Sequence, residues 1–166
     1  MTFTIISKTH GQHNIIIDDE DWEMVKLYNW HIEYAPATLT YYVNTNKCDN
    51  NGKQHNLRLH RYLTNCPKDK MVDHINHDGR DNRKSNIRIC THEENQWNRY
   101  KKRNNNNRYK GVSKSKKSKK WRSYINVNTK AIYLGSYPDE ISAAKAYNEA
   151  AIKYYGEFAL INDLTT

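Results

Sequence analysis

Val72-Asp73-His74-Ile75-Asn76-His77-Asp78-Gly79-Arg80-Asp81-Asn82-Arg83-Lys84-Ser85-Asn86-Ile87-Arg88 gathers histidines, acids, amides and bases into one short stretch. Its two ends are strand-like: Met71-Val72-Asp73-His74 on one side and Ile87-Arg88-Ile89-Cys90 on the other, with a loop through Asp78-Gly79 between them. Directly afterwards Thr91 and Glu94 stand in the S/T-x-x-E spacing of a capping box, which marks the start of a helix. The order is strand, long loop, strand, helix, and it decides how the middle of the chain is read.

That order can carry phosphodiester chemistry. Cleaving such a bond needs a base for water, a cation to offset charge at the phosphorus and the leaving oxygen, and groups that hold the substrate in line. His74 is the candidate base, because imidazole is the side chain whose ordinary pKa lies near neutrality. Asp73 and Asn95 offer hard oxygen ligands suited to a magnesium-like ion that keeps several waters. Asn95 falls in the first helical turn, and a helix continuing through Arg99 and Lys102 would set both as phosphate contacts. Neighbouring strand residues point to opposite faces, so Asp73 and His74 converge only if the strand ends or twists there.

Asp73-His74, Asn86 and Asn95, with steps of 12 from His74 to Asn86 and 9 from Asn86 to Asn95, resemble the HNH nuclease motif in the variant whose last member is Asn. Leu59-His60-Arg61 is similar to the lead-in of phage and intron-encoded HNH homing endonucleases. The resemblance implies a ββα-metal core with His74 as general base, Asp73 and Asn95 as metal ligands, and Asn86 as a brace on the long loop. It implies a divalent metal, magnesium with manganese as the alternative. The paired C-x-x-C knuckles of many bacterial relatives are missing, so the first segment is expected to support the core instead. His92 reads as exposed surface, His77, Asn76 and Asn82 as loop surface, and His60 as structural. Arg80 and Arg83 either grip phosphate or solvate the loop.

Outward from this core the charge is uneven. The formal net charge is +9, and between Asn95 and Pro138 there are thirteen Lys or Arg and no Asp or Glu. Such a field suits a polyanion, since each neutralised phosphate releases counterions. No lipidation signal or basic amphipathic helix points to a membrane, and no apolar run approaches a spanning length. Cys48, Cys66 and Cys90 form no C-x-x-C pair and read as reduced structural thiols. Residues 1 to 56 alternate strand-like runs, Phe3 to Ile6, Asn14 to Ile17 and Tyr41 to Val43, with a helix opening in Asp18-Asp19-Glu20-Asp21 and carrying Trp22, Val25, Leu27 and Tyr28. Asn50-Asn51-Gly52 reads as a turn. Leu57 to Leu63 is strand or helix; periodicity does not separate them.

Asn104 to Asn107 with Arg108 reads as a linker, flanked by bases including Lys102 and Arg103. Beyond it, Tyr109 to Lys114, Trp121 to Asn128 and Ala131 to Tyr137 read as strands, and Asp139 to Tyr155 as a helix capped by Asp139 and closed by Gly156. Ile141, Ala144, Lys145, Tyr147, Asn148, Ala151, Ile152 and Tyr155 show helical spacing. Tyr109-Lys110-Gly111-Val112, Trp121, Ile132-Tyr133-Leu134-Gly135 and Ala143 to Ala151 resemble the Apetala-two domain of plant ethylene-response factors. That resemblance implies a three-stranded sheet laid in the major groove with a helix behind. By alternation Ser123, Ile125 and Val127 share the helix-facing side, leaving Arg122, Tyr124 and Asn126 with Tyr133 toward DNA. Lys110 and Tyr133 match contact positions of the plant domains, while Ser113, Tyr124, Asn126 and Ala131 depart from them, so the plant target does not carry over.

The chain is therefore expected to be α+β: residues 1–56 a supporting segment, 57–103 a ββα-metal (HNH) nuclease core, 104–108 a linker, and 109–166 a DNA-binding module with a three-stranded antiparallel sheet plus helix. The expected activity is metal-dependent endonuclease action of the homing type on double-stranded DNA, nicking as a monomer without an obligate protein partner. The expected DNA contacts are Arg99, Lys102, Arg103, Arg108, Lys110, Arg122, Tyr124, Asn126 and Tyr133. The location expected is intracellular, in a bacterial cytoplasm if the gene is borne by a phage or an intron. The alternative is an inactive DNA-binding regulator built from the same modules.

Overall fold

A computed structural model describes residues 1–49, 51–100 and 108–165. The chain divides into two compact units, Met1–Asn95 and Gln96–Thr166. It is a mixed α/β structure of small antiparallel sheets and few helices.

The first unit opens with a hairpin of β1 (Thr2–Ser7) and β2 (Gly11–Ile16). Alternation sets its inward face: Ile5, His13 and Ile15 are buried while Ile6 stands exposed. The helix expected from Asp18 onward is shorter than the sequence suggests, a 3-10 turn at Asp19–Asp21 followed by one turn of α1 (Trp22–Val25). The indole Nε1 of Trp30 donates to the Val25 carbonyl at 2.8 Å, taking an acceptor that a longer helix would use. A three-stranded meander follows, with β3 (His31–Ala35), β4 (Thr40–Cys48) and β5 (Gln54–Arg58) in sheet order. The ambiguous run at 57–63 is both elements in turn: β5 ends at Arg58 and α2 (Leu59–Leu63) begins at the next residue. The turn proposed at Asn50 lies partly outside the described residues. Ile5, Ile15, Ile17, Val25, Ile32, Val43 and Leu59 form one core, closed by Phe3, Trp22, Trp30, Tyr41 and Leu63.

β6 (Met71–His74) pairs antiparallel with β7 (Ile87–Cys90), and α3 (His92–Trp97) follows. The capping box closes reciprocally: Glu94 N–H donates to Thr91 Oγ1 at 3.2 Å and Thr91 N–H to a Glu94 carboxylate oxygen at 2.7 Å. The expected continuation of the helix through Arg99 is corrected, since α3 ends at Trp97. Asn98 is a poor helix former, and the carbonyl of Trp97 accepts from the Lys110 ammonium at 2.6 Å instead of from a further turn.

The second unit contains β8 (Val112–Lys114), β9 (Trp121–Val127) and β10 (Lys130–Tyr137) in an antiparallel sheet with β9 central, and the long helix α4 (Glu140–Tyr155) packed on it. Asn128 and Thr129, at φ 49° and 64°, make the two-residue turn between β9 and β10. Asp139 caps α4 by accepting from Ser142 N–H at 2.8 Å. Gly156 ends it at φ 56° and ψ −128°, so the closing residue has positive φ without being left-handed helical. The buried face of α4 is Ala143, Ala144, Tyr147, Ala150, Ala151 and Tyr155, whereas Ile141 and Ile152, expected on that face, are exposed. Gly111, at φ 75°, admits Tyr147: a Cβ there would lie 1.9 Å from that ring. Asn162 fastens the final segment, bonding both backbone groups of Lys110 at 2.6 and 3.0 Å and exchanging two bonds with the Asn148 amide.

Candidate active site and nucleic-acid interface

The stretch from Ile75 to Asn86 is a loop held from several sides. Asn86 is buried, and its Nδ2 donates to Asp81 O at 2.7 Å and to Asn76 Oδ1 at 3.0 Å while its Oδ1 accepts from Asn76 N–H at 3.1 Å. Ile16, the last residue of β2, donates to Arg80 O at 2.9 Å and accepts from Asn82 N–H at 2.8 Å. Asp18 accepts from Lys84 N–H at 2.7 Å, and the Lys84 ammonium pairs with Glu20 and Asp21. Gly79 lies so close to β4 that a Cβ would come within 2.3 Å of Tyr41 O. Arg80 pairs with Asp78, and Arg83 with Asp81.

This frame positions His74 at the end of β6. Its ring packs edge-on to His60 at 5.0 Å and tilted against Tyr42 at 6.0 Å, and its Nε2 lies 3.3 Å from Asn82 Oδ1. Burial lowers the imidazole pKa, offset in part by the Asn82 hydrogen bond and by the charges of Asp73, Asp78 and Asp81. His60 is held well below the usual histidine range by burial and by the neighbouring His74, Arg58 and Arg61, and its Nδ1 is buried with no hydrogen-bond partner. His60 is therefore a neutral wall of the site.

Asp73 stands opposite Arg88 in the β6–β7 ladder, and its Oδ2 accepts from Arg88 Nε at 3.1 Å and from a terminal guanidinium nitrogen at 2.8 Å. Met71 shares the Asp73 face of β6. Asn95 Nδ2 meets Met71 Sδ at 3.7 Å, which brings α3 over that same face. Asp73 and Asn95 offer one carboxylate and one amide, oxygen donors of the kind a hard divalent cation takes; among the described residues no group of three or more His, Cys, Asp or Glu is placed to hold a metal ion.

The sequence placed Asn82 on the loop surface; the structure buries it completely, in contact with His74. Arg88 had no assigned role there and is the partner of Asp73. Cross-strand register is the signal that exposes Arg88, because two strands joined by a pinned loop set Asp73 opposite it. No local signal distinguishes Asn82 from the other amides of the loop.

In the second unit the sheet face away from α4 carries Arg122, Tyr124, Asn126 and Tyr133, none of them buried, with the Tyr124 and Tyr133 rings 5.2 Å apart. The register shift between Tyr133 and Gly135 leaves Leu134 as an extra residue and returns Ser136 opposite Arg122. Arg108 is exposed, its guanidinium 5.5 Å from the Tyr109 ring centre. Arg99 lies past the helix end, donating to the Gln96 side chain at 3.2 Å. Lys110 departs from the expected contact: its ammonium donates to Trp97 O and Arg99 O at 2.6 and 2.8 Å, and burial pushes its pKa down to about 8. Such a site suits an anchor of the helix end better than a phosphate contact. Lys102 and Arg103 lie outside the described residues.

Residues 55–97 match the HNH endonuclease family model. Over 98% of the chain and 81% of the relative, the sequence is 27% identical to an uncharacterised HNH endonuclease of Acanthamoeba polyphaga mimivirus. An AP2-like ethylene-responsive transcription factor of Arabidopsis thaliana is 50% identical over 42 residues, 25% of this chain and 10% of that protein. An APETALA2-like protein of Oryza sativa subsp. indica is 38% identical over 60 residues, 36% of this chain and 14% of the plant protein. No solved structure matches.

Proposed function

We propose that this chain, which carries an HNH endonuclease segment at residues 55–97, is a divalent-metal-dependent DNA endonuclease of the homing type whose C-terminal module supplies target affinity. What supports the reading is the match of residues 55–97 to the HNH endonuclease family model, together with the strand, loop, strand and helix that carry Asp73, His74 and Asn95 and the wall of Tyr42 and His60 against His74.

His74 accepts a proton from the attacking water. Asp73 and Asn95 would hold the divalent cation, magnesium or manganese, which would supply charge neutralisation at the scissile phosphate and the leaving oxygen. Asn86 keeps the 75–86 loop closed so that His74 stays at the strand end. Arg88 balances the Asp73 carboxylate before the cation arrives. With one such site among the described residues, a monomer nicks one strand. The sheet of β8, β9 and β10 enters the major groove of double-stranded DNA, presenting Arg122, Tyr124, Asn126 and Tyr133 to base edges and phosphates, with Arg99, Lys102, Arg103 and Arg108 along the backbone.

Incubation with supercoiled plasmid in magnesium or in chelator tests this reading. Conversion to the open-circular form in magnesium alone is expected. DNA binding with no metal-dependent cleavage would make the protein a regulator rather than a nuclease.

A further inference from the structure

We propose that Asn82 is a positioning residue that selects the tautomer of His74, keeping the ring proton on Nε2 and leaving Nδ1 as the atom that accepts the proton from water. The assignment deepens the reading of His74 as the base and rests on it.

The Asn82 amide has no exposed surface. A buried amide must place its donor and acceptor ends on matching partners, because an unsatisfied polar group in the interior is costly. Its Nδ2 donates to Gly79 O at 3.2 Å. Turning the amide over would set its oxygen against that carbonyl oxygen, so the orientation is determined. Oδ1 is thereby directed at His74 Nε2, 3.3 Å away. An amide oxygen only accepts, so Nε2 must carry the hydrogen, and a neutral imidazole protonated there has its lone pair on Nδ1.

The amide is itself fixed by elements remote in sequence. The Asn82 N–H donates to Ile16 O at 2.8 Å, and Ile16 N–H donates to Arg80 O at 2.9 Å, so the end of β2 grips the loop on both sides of Asp81. Gly79, whose carbonyl receives Nδ2, is held against β4 by its N–H bond to Thr40 Oγ1 at 3.1 Å and by the close approach to Tyr41. The N-terminal hairpin and the meander thus determine where the Asn82 amide sits, and the amide determines which nitrogen of His74 is basic. This gives residues of the first segment a part in the chemistry without their touching substrate.

The test is two-bond proton–nitrogen correlation NMR on the full chain labelled with 15N-histidine, free of metal and DNA, at pH 8, with the His74 signals identified by their loss in His74→Gln. In the parent, His74 is expected as the Nε2–H tautomer. Asn82→Ala should convert it to a mixture of tautomers. At saturating DNA and magnesium, Asn82→Ala should lower the cleavage rate roughly 10- to 100-fold, part of what a general base contributes, with DNA affinity unchanged. A parent His74 in the Nδ1–H form, or a folded Asn82→Ala with the parent tautomer and rate, overturns the assignment. If Asn82→Ala does not fold, Asn82→Leu, of similar volume and without an acceptor, takes its place with the same two outcomes. A parent that shows the Nε2–H form but cuts no DNA overturns the nuclease reading instead.

Discussion

Arg88→Met removes the cation that faces Asp73 while keeping an apolar chain of similar length. The Arg88 and Asp73 side chains are only 13% and 7% exposed. Breaking a buried pair from one side leaves an uncompensated charge and costs about 3–5 kcal/mol. The residual exposure places this pair at the lower end, about 3 kcal/mol. Asp73→Leu combined with Arg88→Met removes both desolvated charges together and should return stability to within about 1 kcal/mol of the parent. On the proposed role of Asp73 as a metal ligand, Arg88 would compete with the cation for the same carboxylate oxygen, and the single variant should then bind magnesium more tightly than the parent. A tenfold gain in affinity would appear as about 1.4 kcal/mol of extra magnesium-dependent stabilisation at saturation. Urea unfolding with and without magnesium, together with hydrogen exchange across β6 and β7, reads both effects. An Arg88→Met protein as stable as the parent, or a double variant as unstable as the single, would refute the reasoning.

Two further predictions concern the second unit. Gly111→Ala forces a Cβ onto the Tyr147 ring at positive φ, and strain plus overpacking should cost roughly 3 kcal/mol, measured as the urea midpoint of that unit; a loss under about 0.5 kcal/mol would contradict the packing. The buried Lys110 ammonium, pushed down to about 8 from an ordinary 10.5, makes stability depend on pH. Between those values the unfolded chain holds a proton that the folded chain has released, so stability should rise with pH from about 8. Above pH 10 the Tyr147 hydroxyl, whose pKa burial raises, works the other way, because the unfolded chain ionises first. Denaturation from pH 8 to 10 should therefore show a rise that Lys110→Met abolishes; equal slopes in the two proteins would refute it.

What the sequence disclosed follows from how local each signal is. The strands at 71–74 and 87–90 and the capping box at Thr91 and Glu94 depend on near neighbours and were legible as written. The same holds for β9, where Ser123 and Ile125 alternate with Arg122 and Asn126. The stop of α3 at Trp97 goes with Lys110, which reaches back over 13 residues to its carbonyl, and α1 stops where the Trp30 indole, a neighbour in sequence that no spacing rule marks, takes the Val25 carbonyl. Ile141 and Ile152 satisfied helical spacing, but the alanines and tyrosines of α4 fill the space against the sheet, leaving both isoleucines outside. Asp73, His74 and Asn95 were singled out as candidates by type and spacing alone. Asn82 was not, because its importance comes from burial under β2 and β4, which no pattern within the loop records.

Whether His74 removes a proton from water during strand scission is read by comparing His74→Ala with the parent at saturating protein and magnesium on bound DNA. The account predicts a fall of about 10²- to 10⁴-fold in the rate of scission, with DNA affinity unchanged. Equal rates in the two proteins, at equal occupancy of the DNA, would contradict it.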